Sequence, residues 1–97
     1  MNGRYRVIWR QRVIERQLAA AVVRAMEQGE DVAAINSAVD EIDRTLASTP
    51  LSVGESRGDY QRVFVAPPLS ALYEVLEDES VVFIVGLRYR PIPHSDE

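Results

Sequence analysis

Arg88 and Arg90 follow the apolar run Val81–Val85, two guanidinium groups one strand alternation apart and therefore on one face of an extended segment. Arg57 and Arg62 stand in the same half of the chain, so four cations converge on one region of the sequence. Guanidinium groups grip phosphate or carboxylate oxygens through paired hydrogen bonds, and they stabilise charge that develops on a phosphate. They are poor bases at neutral pH, because a guanidinium holds its proton far above neutrality. Proton transfer would fall to Tyr60, Glu74 or Tyr89. Two plainer readings stand beside this one. All eleven basic residues are arginine and none is lysine, which a GC-rich genome would produce through its codons. Arg88 and Arg90 could also pair with Glu74, Glu77 or Asp59 on neighbouring strands, each exposed pair contributing less than about 1 kcal/mol.

Other chemistries have little support. The chain has no cysteine, which excludes disulfides, thiolate metal sites and cysteine nucleophiles. Its one histidine, His94, sits in a polar tail, a poor start for a Ser-His-Asp arrangement or a zinc site. Glu77-Asp78-Glu79 lacks the alternating ligands of a calcium loop and reads as a solvated hairpin turn. No cofactor and no metal are expected. The net charge of −4 argues against a nucleic-acid binder held by bulk charge.

These residues must be positioned by one domain over 1–97, since 97 residues build one modest core, with 91–97 as a frayed tail. No apolar run reaches the roughly 20 residues that span a bilayer, and the opening Met-Asn-Gly-Arg-Tyr-Arg is polar, so the expected location is cytoplasmic. Arg4 to Trp9 alternates, with Tyr5, Val7 and Trp9 toward a core and Arg4, Arg6 and Ile8 away from it. Ile14, Leu18, Ala21, Val22 and Ala25 then take helical spacing, ended by Gln28-Gly29. Asp31 caps a second helix, whose stripe Val32, Ile35, Val39, Ile42, Leu46 runs to Ser48-Thr49-Pro50. The short joint makes the two helices antiparallel.

Beyond Pro50 the chain is strand-like. Leu51–Arg57 reads as a weak edge strand, Gly58-Asp59 as a turn, Tyr60–Ala66 and Leu69–Leu76 as strands joined at Pro67-Pro68. The apolar run Val81–Val85 fits a strand covered on both faces, and Gly86 within it marks a bulge or a close backbone approach. The order β-α-α-β-β-β-β predicts an α+β, two-layer sandwich: an antiparallel sheet of four to five strands with a helical hairpin on one face.

In this form the chain resembles the RelE/ParE family of toxins from type II toxin–antitoxin pairs, proteins also described as plasmid-stabilisation-like. The resemblance is carried by Tyr5-Arg6-Val7-Ile8-Trp9, the two helices, the Pro50-Leu51 exit and Arg62 in its strand. Pro68-Leu69-Ser70-Ala71-Leu72-Tyr73 leading to Val75, and Val85-Gly86-Leu87-Arg88-Tyr89, complete it. It runs from about Tyr5 to Arg90 and implies that the first strand pairs with the last. It also implies growth inhibition through either DNA gyrase or translation, the latter by messenger-RNA cleavage, and silencing by an antitoxin that covers the sheet.

The ribosome-dependent members that the chain resembles lean on lysines and a basic surface, which this sequence lacks. The expectation therefore leans toward a gyrase-type target and away from an enzyme; if there is catalysis, it is an mRNA endoribonuclease drawing on Arg62, Arg88 and Tyr89. Arg57, Arg62, Phe64, Leu72, Arg88 and Arg90 are expected to bind target or antitoxin. Alternation is expected to bring Phe64, Leu72, Val82 and Ile84 onto the helix-free face with Arg62, Glu74 and Arg88, an apolar patch rimmed by arginines that calls for a partner. A second copy of the chain would also fit, so a non-toxic homodimeric module is the competing class.

Overall fold

The computed structural model describes residues 4–58 and 60–90. The expectations for Asp59, His94 and the 91–97 tail fall outside them. The chain opens with β1 (Arg6–Trp9), enters a helix that begins with a π-helical turn (Val13–Leu18) and continues as α1 (Ala19–Glu27), and returns through α2 (Val32–Ser48). Four further strands follow: β2 (Glu55–Ser56), β3 (Gln61–Ala66), β4 (Leu69–Leu76) and β5 (Val81–Tyr89). This is the expected α+β sandwich, with both helices packed on one face of a five-stranded sheet.

The strand order is β1-β5-β4-β3-β2. The meander β2 to β5 is antiparallel, but β1 pairs with β5 in parallel, Arg6 opposite Val81 and Trp9 opposite Ile84. The sheet is therefore mixed, where an antiparallel one was expected. Alternating hydrophobicity reports that a segment is extended but carries no strand direction. The pairing of the first strand with the last is as expected.

Local chemistry explains the joints. Asp31 accepts the Ala33 N–H at 2.9 Å and caps α2. Gly29, at φ +71°, follows α1 in the left-handed region that a residue with a side chain avoids. Pro67 and Pro68 occupy the two-residue connection between β3 and β4.

The core has one side. Ile35, Ala38, Ile42 and Leu46 of α2 bury against Leu69, Ala71 and Tyr73 of β4 and Val82 and Ile84 of β5. Among the described residues β5 is thus covered on one face only. Val81, Phe83 and Val85 on its other face are half-buried, where cover on both sides was expected. The first helix also departs from its sequence stripe: Val13 is fully buried while Ile14 is 47% exposed. The wider π turn holds more residues per turn than an α-helix, so the face read from 3.6-residue spacing slips at its start.

Candidate functional site

The sheet's helix-free face holds the site, and a β-bulge decides which residues reach it. Along β4 and β5, Tyr73 lies opposite Ile84 but Leu72 lies opposite Gly86, so Val85 is an extra residue. Each extra residue inverts the alternation that follows it. Val82 and Ile84 point into the core before the bulge; Tyr89 does so after it, and Arg88 faces out. A regular strand would have put Arg88 on the same face as Ile84. The sequence signal was Gly86, which directly follows the extra residue and stands opposite Leu72.

Four of the residues expected to bind a partner converge. Arg57, Leu72, Arg88 and Arg90 line a pocket of about 500 Å³ on this face. Its other walls are Val63, Ser70, Gly86, Leu87 and, from the π turn, Gln17. Gln17 was missed by sequence reading, because a polar residue within an amphipathic helix carries no sign that it reaches across to a strand. Its Oε1 accepts the Leu87 N–H at 2.6 Å. Among the described residues neither Arg88 nor Arg90 forms an ion pair, and Arg57 makes only a long, exposed one to Glu55 at 3.8 Å. The neighbouring-strand pairs considered for Arg88 and Arg90 are absent among the described residues. Glu74 instead accepts from Gln61 Nε2 at 3.0 Å.

The other expected site residues lie elsewhere. Arg62 is opposite Tyr73, on the helix side. Its Nη2 donates to the carbonyls of Val53 and Gly54, at 3.1 and 3.4 Å. Tyr73, fully buried, shares its hydroxyl proton between the Pro50 and Val53 carbonyls at 2.7 and 3.0 Å. Burial raises the Tyr73 pKa above its usual value, against a smaller lowering by Arg62. Together these groups tie down the segment between α2 and β2, and thereby the strand from which Arg57 extends. Phe64 packs against the core on that same inner face, opposite Ala71. Val82 and Ile84 are core residues, so the outer patch is built from Leu72, Val63, Phe83 and Ile8 instead.

Tyr89 is buried on the helix side, its hydroxyl without a hydrogen-bond partner among the described residues, and burial raises its pKa. It does not line the pocket. Tyr60 is 87% exposed at the start of β3 and does not line it either. A second hollow of about 390 Å³ opens at the β1 edge of the sheet. There the Arg10 guanidinium lies 5.0 Å from the centre of the Phe83 ring. Among the described residues no three His, Cys, Asp or Glu side chains gather as metal ligands, and no helix is long and apolar enough to cross a membrane.

The pocket therefore offers three guanidinium groups, the Ser70 hydroxyl and the Gln17 amide over an apolar floor, and among the described residues its lining includes no carboxylate. Such a lining has the donors and charge that suit an oxyanion.

No family model and no curated protein matches the chain. Among solved structures it is similar to a chain in the crystal structure of the RelBE2 toxin–antitoxin complex from Mycobacterium tuberculosis. The match has a TM-score of 0.70 at 16% sequence identity and covers 92% of this chain and 94% of the other. The shared property is the fold, a RelE-like arrangement of two helices on a mixed five-stranded sheet.

Proposed function

We propose that this protein is the toxin of a type II toxin–antitoxin pair and that it acts through the arginine-lined pocket on the helix-free face. The observation that carries the reading is the convergence of Arg57, Arg88 and Arg90 on one pocket that no carboxylate lines among the described residues. Their charge suits a phosphate group of the target. The likeness in fold to a chain of a toxin–antitoxin complex supports the same reading. The lining supplies cations and neutral donors but no acid–base pair, which favours engagement of a protein–DNA target of the gyrase type over cleavage of messenger RNA. An antitoxin would silence the protein by covering the half-buried apolar strip of Leu72, Val63 and Phe83 and bringing carboxylates to the arginines.

Inducible expression tests this. Wild-type protein is expected to arrest growth, and R57A/R88A/R90A to relieve the arrest while keeping the wild-type unfolding curve. Arrested cells should show gyrase-linked DNA breaks; cut messages without such breaks would transfer the reading to an mRNA endoribonuclease. Harmless expression together with a stable homodimer would replace the toxin with an interaction module on the same fold.

A further inference from the structure

We infer that Gln17 is a direct ligand-binding residue of the pocket, a fixed amide donor that works with the three guanidinium groups on one phosphoryl oxyanion. The inference rests on the reading of the pocket given above and adds a residue and a ligand chemistry to it.

The argument begins with the backbone of β5. Up to Ile84 its β1-facing groups are met by β1, the last bond running from the Arg10 N–H to the Ile84 carbonyl at 3.1 Å. The chain then turns away into the helix, so among the described residues the outer edge of β5 beyond Ile84 has no neighbouring strand. The bulge reverses which residues face each side, and the Arg90 N–H accordingly bonds the Pro68 carbonyl on the β4 side at 2.7 Å. The Leu87 N–H is left facing the abandoned edge. Gln17 takes the place of the missing strand there, its Oε1 accepting that N–H at 2.6 Å.

This bond fixes the amide's orientation. A backbone N–H can be met only by the carbonyl oxygen of a glutamine side chain, never by its NH2 group. With Oε1 committed to Leu87, both Nε2 hydrogens are left as donors on a side chain that lines the pocket with Arg88 and Arg90. Among the described residues Nε2 has no hydrogen-bond acceptor. A donor held by its own second bond costs little reorganisation when an oxyanion arrives. Val13 and Gln17 stand four residues apart in the π turn and so share the side of the helix that meets β5.

Two readouts separate bracing from binding. Gln17→Glu keeps an acceptor for the Leu87 N–H but loses the NH2 group and adds a negative charge, so its urea midpoint tests bracing, while contact with the ligand is read from the wild-type amide itself. The side-chain amide resonance of Gln17 in wild-type protein, followed by 15N NMR, gives a second readout that needs no variant. The probes are inorganic pyrophosphate and a short oligothymidylate, which separate a free phosphate from a nucleic-acid backbone as the source. The expected result is that at least one probe shifts the Gln17 NH2 resonance, and that Q17E weakens its binding by about tenfold or more while the urea midpoint holds. A Gln17 resonance that stays put while Arg88→Ala abolishes binding would overturn the role of Gln17 and leave the pocket reading standing. If wild-type protein binds neither probe, the phosphate reading of the pocket and the role of Gln17 are both overturned.

Discussion

At the scale of single residues, the polar groups of the two faces have different work. Tyr73 and Arg62 both serve the carbonyls of the segment after α2, and Tyr73 is completely buried. Tyr73→Phe is expected to cost about 1–2 kcal/mol in urea unfolding, because the Pro50 carbonyl loses its donor. The same hydroxyl sets an alkaline limit. Burial raises the folded pKa of Tyr73, so above the unfolded value of about 10 the unfolded chain releases a proton that the folded one retains. Stability should be level below about pH 10 and fall as pH rises through the folded pKa. Tyr89 contributes in the same direction. The chain has no lysine to confuse that titration, and Y73F should show a shallower alkaline decline than the parent.

At the scale of elements, two irregularities position the site. The bulge in β5 turns Arg88 outward, and the π turn sets the register of the first helix. Fully buried Val13 should lose about 2 kcal/mol when cut to alanine. Ile14→Ala should fall within about 0.5 kcal/mol of wild type despite its place in the sequence stripe. Equal losses in thermal or urea unfolding would argue that the helix is regular from its first turn. The connection before β2 is a further fixed element. Gly54 has φ +76°, and a Cβ there would meet the Val63 carbonyl oxygen at 2.6 Å and the Tyr73 hydroxyl at 2.8 Å. Gly54→Ala must therefore displace the Tyr73 bonds as well as adopt an unfavourable backbone, and is expected to cost more than about 2 kcal/mol. Gly29→Ala, with nothing within 4 Å, should cost only the backbone term of about 1 kcal/mol. Comparing the two midpoints separates close packing from conformational preference.

At the scale of the whole molecule, an acidic protein presents a cationic face. The net charge is −4, yet Arg6, Arg57, Arg88 and Arg90 lie on or beside the helix-free side of the sheet. Many of the acids sit on exposed helix surfaces and in the Glu77–Glu79 turn. Local potential and net charge therefore point to different partners. If the three pocket arginines engage one to three phosphates of a single strand, log affinity for oligothymidylate should fall with log salt at a slope between about −0.7 and −2. A slope of zero would mean that the face binds through its apolar strip alone.

The sequence by itself determined the kinds and order of the elements, because hydrophobic period, a capping aspartate and paired prolines act within a few residues of where they stand. It also placed Tyr5, Trp9 and Tyr73 in or against the core, and of the six residues it brought forward as a binding set, Arg57, Leu72, Arg88 and Arg90 share the pocket while Arg62 and Phe64 do not. Only the tertiary structure decided the faces. Arg62 and Phe64 point inward because their strand is read against Tyr73 and Ala71, partners far along the chain. Arg88 points outward because one extra residue at Val85 inverts the count. Gln17 entered the site because β1 leaves the sheet edge and a backbone N–H there needs an acceptor. Alternation fixes which residues share a side within one regular strand; the side itself is chosen by packing across the sheet.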